Sequence, residues 1–273
     1  MDAPKDIPAD APVLRLVSRL LRPLARYFDA SLEGVENLPN GRALLVGNHS
    51  LLGIDSLVLF PEIWRETGRV PRGLALRSLF EIPWVRVLLH EMGIVEGRRD
   101  NAIGLLEEEQ LVVTYPGGAR DSVKGSHERY ELKWAQRRGF ARVAIATGTP
   151  VVPVGGVGPD EVFPLHTKDG VFPFPFLGDS SYRLPFFLPV ARPVPFTFRI
   201  GEPICPPSIN ELRSEASGDP QWEGVDEIPG TLIDPFVSEC RKRLETVLEA
   251  LVADRREDPE WLPAAIDRLG ADD

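Results

Sequence analysis

From residue 42 onward, short apolar runs alternate along the chain with longer stretches of helical periodicity. The apolar runs are Ala43–Val46, Leu74–Leu76, Leu111–Tyr115, Val151–Val157 and Thr197–Ile200. The helical stretches lie near Ser56–Thr67, Leu79–His90, Asn101–Glu108 and Glu128–Thr147. Short apolar runs are typical of buried strands, and strand–helix alternation indicates a sheet with helices on its faces. We therefore predict an α/β fold.

The segment 13–28 has the pattern of an amphipathic helix. Its four arginines are spaced by four, three and four residues and so share one face: Arg15, Arg19, Arg22 and Arg26. The opposite face is apolar and holds Val13, Val17, Leu20, Leu21, Leu24 and Phe28. Pro23 should kink the helix or split it. Two interpretations stay open: an interfacial helix facing anionic lipid headgroups, or a helix packed on the domain with a solvated basic face.

The segment 171–198 is rich in phenylalanine and proline. It holds seven of the 13 phenylalanines of the chain, and its prolines exclude a long helix or a central strand over most of it. We predict a loop or edge element that either lines an apolar groove or touches a membrane. The alternative is a loop folded over the core.

Composition and charge limit the class of protein and its compartment. The net charge of −10 argues against a general nucleic-acid binder, which needs clustered cations. No apolar run approaches the ~20 residues of a membrane span. The first ten residues do not resemble a secretory signal, and two cysteines, Cys205 and Cys240, do not make a disulfide framework. We predict a cytoplasmic protein, peripherally associated with membrane.

Three regions are predicted along the chain. Residues 1–30 form a tail and the amphipathic helix, residues 31–253 form the main domain, and residues 254–273 form an acidic tail. The main domain ends in a long amphipathic helix. Its apolar positions are Phe236, Val237, Cys240, Leu244, Val247, Leu248 and Leu251.

His49 and Asp55 are the first candidate catalytic residues. His49 follows a predicted buried strand, and Asp55 precedes the next predicted helix. A carboxylate that accepts from one imidazole nitrogen fixes the tautomer and raises the basicity of the other nitrogen, which can then take a proton from an alcohol. Taken alone the pattern is weak, because Asp55 could be a helix N-cap and His49 a loop residue.

A second candidate lies in the segment 115–122, Tyr-Pro-Gly-Gly-Ala-Arg-Asp-Ser, after another predicted strand. Gly117 and Gly118 allow a tight turn and close approach of backbone N–H groups to a ligand. Arg120 could bind a phosphate or carboxylate through two hydrogen bonds. The alternative is an ordinary turn with Arg120 in a surface ion pair.

In this order and spacing, the motifs resemble those of the lysophospholipid and glycerolipid acyltransferase superfamily (PlsC-like). The first family block, Asn-His-(four or five residues)-Asp, corresponds to Asn48, His49 and Asp55. The second and third blocks correspond to Gly93–Arg98 and Tyr115–Arg120, and the fourth to Pro150–Val154. Further positions resemble the branch of diacylglycerol-acyltransferase-like enzymes and plant phytyl ester synthases: Tyr130, Leu132, Trp134, Gly139, Phe140 and Ala141. The resemblance covers roughly residues 30–205.

The resemblance implies a mixed, mostly parallel sheet flanked by helices and transfer of an acyl group to a lipid hydroxyl. The donor would be acyl-CoA or acyl carrier protein, used as substrate, with no cofactor and no metal. His49 would be the general base, oriented by Asp55, and Asn48, Arg98, Gly117, Gly118 and Arg120 would bind substrate. Backbone N–H groups near Gly117 and Gly118 would stabilise the oxyanion.

Two departures from the family pattern affect this expectation. Five residues separate His49 from Asp55, whereas the commonest form has four. The family sequence Phe-Pro-Glu-Gly-Thr-Arg has a glutamate where this chain has Gly117. In members with phosphate acceptors that glutamate and the arginine together hold glycerol phosphate, so its loss favours a neutral acceptor such as diacylglycerol, monoacylglycerol or a long-chain alcohol.

Two other functions are consistent with the same residues. One is a non-catalytic lipid-binding protein on the same fold, which would need no proton transfer. The other is a serine lipase or thioesterase, but the nucleophile elbow G-x-S-x-G does not occur in the chain. Ser50 is adjacent to His49, and adjacent residues on one extended loop point in different directions.

Overall fold

The computed structural model describes residues 12–164, 172–173, 183–184, 186, 190–216 and 222–257. Its strands are β1 (Ser31–Glu33), β2 (Ala43–Gly47), β3 (Arg72–Ala75), β4 (Val95–Glu96), β5 (Leu111–Thr114), β6 (Val151–Val157), β7 (Phe172–Pro173), β8 (Arg183–Leu184) and β9 (Thr197–Ile200). Its α-helices are α1 (Pro12–Tyr27), α2 (Ile54–Thr67), α3 (Arg77–Phe80), α4 (Pro83–Glu91), α5 (Arg99–Glu107), α6 (Ala119–Ser122), α7 (Gly139–Thr147), α8 (Ile209–Glu215) and α9 (Gly230–Glu257).

The main sheet joins seven of these strands in the order β1-β9-β6-β2-β5-β3-β4. Neighbouring strands pair in parallel, except that β6 and β9 are antiparallel. Strands β7 and β8 form a separate antiparallel pair. The predicted α/β fold with a mixed, mostly parallel sheet flanked by helices is confirmed.

Helices cover both faces of this sheet. Because successive side chains of a strand point to opposite faces, Leu44 and Val46 of β2 pack with residues of α5, α7 and α9, whereas Ala43 and Leu45 pack with residues of α1 and α2. The central strands are buried on both sides, which explains why they appear in the sequence as continuous apolar runs.

Two predicted helices differ from the structure. The stretch 128–147 is helical only from Gly139, because Tyr130 and Ala135 have left-handed backbone, with φ of 65° and 51°, that no α-helix accepts. The stretch 79–90 consists of α3 and α4 with a break at Ile82. That residue is extended, with ψ of 112°, because it precedes Pro83 and a residue before proline avoids the helical region.

Helix α1 packs on the domain and keeps an exposed apolar stripe. The predicted split does not occur, since the helix runs through Pro23, which lies on the exposed face, where an unpaired carbonyl can reach water. The chain after the helix is anchored by Phe28, which is buried and stacks on Phe196 with ring centroids 4.2 Å apart. Leu20, which belongs to the predicted apolar face, is 68% exposed, and the neighbouring Leu16 is 56% exposed.

Helix α9 continues past the predicted boundary at residue 253. The first residues of the predicted acidic tail contact the domain, since Asp254 pairs with Arg199 at 2.7 Å and Arg255 pairs with Glu161 at 3.1 Å. The rest of that tail, residues 258–273, and half of the predicted aromatic segment 171–198 lie outside the described residues.

Candidate active site

The candidate catalytic residues lie at the carboxyl ends of two neighbouring parallel strands. Strand β2 pairs with β5 in a register that puts Val46 opposite Thr114. His49 follows β2 and the Tyr115–Gly118 turn follows β5, so both lie at the same edge of the sheet. Ligands of open α/β sheets bind at this edge.

His49 and Asp55 meet in the structure. Nδ1 of His49 lies 3.1 Å from Oδ2 of Asp55, a residue in the first turn of α2. The longer spacing is absorbed by a 3₁₀ turn at Leu51–Gly53. Leu52 and Gly53 in that turn have left-handed backbone, with φ of 60° and 68°. These two residues form the bulge that brings the imidazole to the carboxylate.

The carboxylate of Asp55 is held at both oxygens. Besides the contact of Oδ2 with His49, Oδ1 accepts from the backbone N–H of Ser50 at 3.1 Å and from its hydroxyl at 2.5 Å. Ser50 is buried, and its hydroxyl proton is directed at Asp55, so its Oγ is not placed as a nucleophile. No role for Ser50 was predicted from the sequence, whereas in the structure it orients the acid.

Tyr115 forms the wall against which the imidazole rests. The two rings are stacked, with centroids 4.2 Å apart, and the tyrosine hydroxyl lies 2.8 Å from Oγ of Ser56. A Cβ on Gly47 would lie 3.1 Å from Cε1 of Tyr115, so the glycine that ends β2 leaves room for this ring. Sequence reasoning recognised Tyr115 as the start of the third block but did not predict this contact.

The environment favours a charged His49–Asp55 pair. Burial alone would lower the pKa of His49, but the negative charge of Asp55 and the hydrogen bond to it outweigh this and raise the pKa above its usual value. For Asp55, burial alone would raise the pKa, but His49 and the bond from Ser50 bring it below its usual value. An ionised Asp55 only accepts, so the proton of the neutral imidazole lies on Nδ1, and Nε2 is left for a substrate.

His49 lines a cleft of about 730 Å³, a size typical of small-molecule sites. Much of its wall is apolar, with side chains from β3, α3, α4 and α7. Four arginines also line it: Arg77, Arg98, Arg99 and Arg137. Arg98, for which substrate binding is predicted, is thus among the residues that line the cleft. In the described part of the chain, no three His, Cys, Asp or Glu side chains converge as metal ligands.

Asn48 does not reach the cleft. Its Nδ2 donates to the carbonyl of Gly156 at 2.9 Å, and its Oδ1 accepts from the N–H of Gly156 at 2.8 Å. Through these two hydrogen bonds the buried amide joins the end of β2 to β6. In the structure this side chain has a structural role, and the expected role of Asn48 in substrate binding stays a prediction.

The predicted residues of the Gly-Gly turn are divided. Gly118 lines the cleft, but Gly117 and Arg120 do not, and the Arg120 side chain is exposed. The N–H of Gly118 donates to the carbonyl of Tyr115 at 2.9 Å, so the turn itself uses this predicted oxyanion donor. The cation beside the turn is Arg137, whose Nη1 lies 3.5 Å from the carbonyl of Pro116. Arg137 was not predicted from the sequence, because it lies between the family-like positions Trp134 and Gly139 and is not one of them.

Comparison with known proteins identifies the family. A profile of the diacylglycerol acyltransferase family matches residues 13–172. An uncharacterised protein of Mycobacterium tuberculosis is 31% identical over 238 residues, which cover 79% of this chain and 64% of that protein. A Mus musculus protein described as a DGAT1/2-independent enzyme synthesizing storage lipids is 31% identical over 182 residues, which cover 63% of this chain and 54% of that protein.

Among solved structures, the chain is similar to the 1-acyl-sn-glycerophosphate acyltransferase PlsC of Thermotoga maritima. The sequence identity is 17% and the TM-score 0.48, over 84% of this chain and 79% of the other. The chain spans about two thirds of the length of the mycobacterial relative and about half that of the murine one. From the match over residues 13–172, we conclude that the chain belongs to the diacylglycerol acyltransferase family.

Proposed function

We propose that this protein transfers a fatty acyl group from an acyl thioester, acyl-CoA or acyl-ACP, to the hydroxyl of a lipid acceptor. His49 is the general base in this proposal and Asp55 is its partner. The observation that carries it is the 3.1 Å contact between Nδ1 of His49 and Asp55 in the wall of a largely apolar cleft. A dyad of this kind needs no covalent enzyme intermediate.

The proposed step is direct transfer. Nε2 of His49 takes the proton of the acceptor hydroxyl while the oxygen attacks the thioester carbonyl carbon. The tetrahedral intermediate then collapses, the carbon–sulfur bond breaks, and the leaving thiolate takes the proton from the imidazolium. The ionised Asp55 stabilises the positive imidazole during both transfers, and general-base help of this type is typically worth ~10²–10⁴-fold in rate.

We assign the anionic part of the substrate to the arginine side of the cleft. Arg98 and Arg137 line the cleft and Arg120 does not. Guanidinium groups bind phosphate through paired hydrogen bonds, and the acyl thioesters named above carry phosphate. Arg137→Ala should therefore raise KM for the donor, whereas Arg120→Ala, the matched control on the exposed surface, should leave it unchanged.

A neutral acceptor is favoured. The family glutamate associated with glycerol phosphate is Gly117 in this chain, and the murine relative is described as an enzyme that synthesizes storage lipids. An assay with glycerol phosphate, lysophospholipid, diacylglycerol, monoacylglycerol and fatty alcohol in parallel tests this. Transfer to the uncharged acceptors is expected, and a preference for glycerol phosphate would contradict it.

The role of His49 is tested by His49→Ala. The variant should fold and lose transfer activity by about 10²–10⁴-fold, whereas His127→Ala, which changes an exposed histidine, should not. Full activity of His49→Ala in a purified assay would show that the base lies elsewhere. Binding of acyl-CoA without turnover of any acceptor by the wild type would favour a non-catalytic lipid-binding protein.

We further propose that the protein acts at a membrane surface from the cytoplasmic side. Support comes from the exposed Leu16 and Leu20 on α1 and from a second exposed apolar stripe on α4, formed by Trp84, Val87 and Leu88. Arginines flank the α1 stripe, and such helices bind anionic interfaces. No helix among the described residues is long and apolar enough to cross a membrane.

A further inference from the structure

Gly117 is a glycine for a reason other than its backbone. Unlike Gly118, whose φ is 53°, it is not among the residues with positive φ, so an L-residue could adopt its conformation. A Cβ at position 117, however, would lie 2.6 Å from Oδ1 of Asp121 and closer still to its Cγ. The carboxylate of Asp121, on α6, therefore occupies the space that any side chain at position 117 would need.

The Asp121 carboxylate is buried and only partly bonded. Oδ1 accepts from the backbone N–H of Lys133 at 2.6 Å, while Oδ2 has no hydrogen-bond partner among the described residues. A buried carboxylate with an unpaired oxygen lowers the stability of the fold, so its presence at this place calls for an explanation. Asp121 does not line the cleft, so any effect on the reaction passes through its neighbours.

Asp121 lies among other charged side chains. Lys124 forms a buried ion pair with Asp160 at 3.1 Å. Both line a small cavity with Asp121 and Arg129. Burial raises the pKa of Asp121, which Lys124 opposes. Asp121 also lies within electrostatic reach of His49, where its charge acts in the same sense as that of Asp55 and against that of Lys124.

The resemblance described above places a glutamate at position 117, and this chain instead brings a carboxylate into the same space from four residues later. We propose that Asp121 is a positioning residue of the candidate active site: its carboxylate fills the space beside Gly117 that a side chain there would take, bonds to the backbone of Lys133 and places a negative charge near His49. Its importance for catalysis rests on the proposed function of His49, but its packing and its electrostatic effect can be measured without substrate.

The packing is tested by thermal denaturation. Gly117→Ala should lower Tm by roughly 4–10 °C, as expected for an overpacked site, and adding Asp121→Gly should remove most of that loss. Gly104→Ala is the matched control, because its Cβ would meet nothing within 4 Å, and it should not lower Tm. The packing claim would be overturned if Gly117→Ala left Tm unchanged. It would also be overturned if the Tm loss of the double variant equalled the sum of the losses of the two single variants.

The electrostatic effect is tested by following the His49 ring proton by NMR as pH is varied, with His49→Ala used for assignment. Asp121→Asn keeps the shape and removes the charge, so the pKa of His49 should fall. Asp100→Asn, which removes an exposed charge, should leave it unchanged. An unaltered His49 pKa in folded Asp121→Asn would overturn the proposal. These measurements fail or succeed independently of whether the protein transfers acyl groups.

A double variant that moves the acid to position 117 tests the proposal if Asp121→Asn does not fold. Gly117→Glu combined with Asp121→Gly returns the acid to the position it has in the family motif. The double variant should fold and keep the raised His49 pKa. A double variant that does not fold, or in which the His49 pKa drops below that of the wild type, would contradict the exchange of the two positions.

Discussion

The imidazole of His49 lies flat against the phenol ring of Tyr115, with 16° between the ring planes, while its Nδ1 is bonded to Asp55. One contact fixes the face of the imidazole and the other fixes its edge. Together they leave the ring little freedom to turn, which is the condition for a base whose Nε2 must meet a hydroxyl within hydrogen-bond reach.

Removing the tyrosine ring should cost more than removing its hydroxyl. Tyr115→Phe keeps the stacked face and loses the hydroxyl with its hydrogen bonds to Ser56 and Asp55, so we expect kcat to change by less than about tenfold. Tyr115→Ala frees the imidazole and should lower kcat by about 10²-fold, the usual effect of a misplaced catalytic group. Steady-state kinetics of the two variants check this, and equal losses would show that the hydroxyl, not the ring, matters.

The pH dependence of transfer follows from the raised pKa of His49. The base must be neutral to accept a proton, so kcat/KM should fall as pH drops through that pKa, which lies above the usual value of about 6.5. Asp55→Asn removes the charge that raises the pKa, so the ascending limb should move to lower pH while the maximal rate falls. An ascending limb that stays in place in Asp55→Asn would be inconsistent with the dyad.

The left-handed bulge can be tested with two glycines of the same backbone. Gly53 and Gly68 both have φ of 68°, so alanine should cost each about 1–2 kcal/mol of unfolding free energy. Only at Gly53 does the new Cβ approach His49, at 3.5 Å from Cε1. Gly53→Ala should therefore also reduce transfer activity, whereas Gly68→Ala should not. Equal activities of the two would argue that the bulge tolerates rearrangement.

Membrane association should depend on the exposed apolar stripes. Leu20→Glu on α1 and Trp84→Glu on α4 each remove apolar surface and add a negative charge. Each should weaken binding to phosphatidylglycerol-containing vesicles by about tenfold or more without lowering Tm. Thr246→Glu adds the same charge at an exposed position of α9, which packs on the opposite face of the sheet, and is the control. Vesicle flotation measures the binding of all three variants. Unchanged binding of both test variants would show that these helices do not contact the membrane.

Much of the fold could be predicted from the sequence, because buried parallel strands produce continuous apolar runs. All five predicted strands exist, and their ends differ from the predicted ones by at most two residues. The two shortest strands of the sheet, β1 and β4, were not predicted, since runs of three or two residues carry no periodic signal. The helix predicted at 128–147 failed in its first half, where the left-handed conformation of Tyr130 and Ala135 depends on tertiary contacts and not on helix propensity.

The candidate site was predictable only in part. The motif spacing indicated that His49 and Asp55 are in contact, because His49 follows a predicted strand and Asp55 precedes a predicted helix. It did not indicate which of the nearby polar residues would face the cleft. Asn48 turns to Gly156 and Arg120 turns to solvent, whereas Arg137 enters from a segment 17 residues further along the chain. In irregular segments the direction of a side chain is set by packing, and the pattern of residues along the sequence gives no information about that packing.

The pair of hydrogen bonds between Asn48 and Gly156 joins the residue before the candidate base to a strand that also supports the long helix α9. The loop of the dyad is thus fastened to an inner strand of the main sheet and has no hinge of its own at this end. Heat inactivation should then track melting of the entire domain. A thermal shift measurement would then report the temperature range over which the site stays intact.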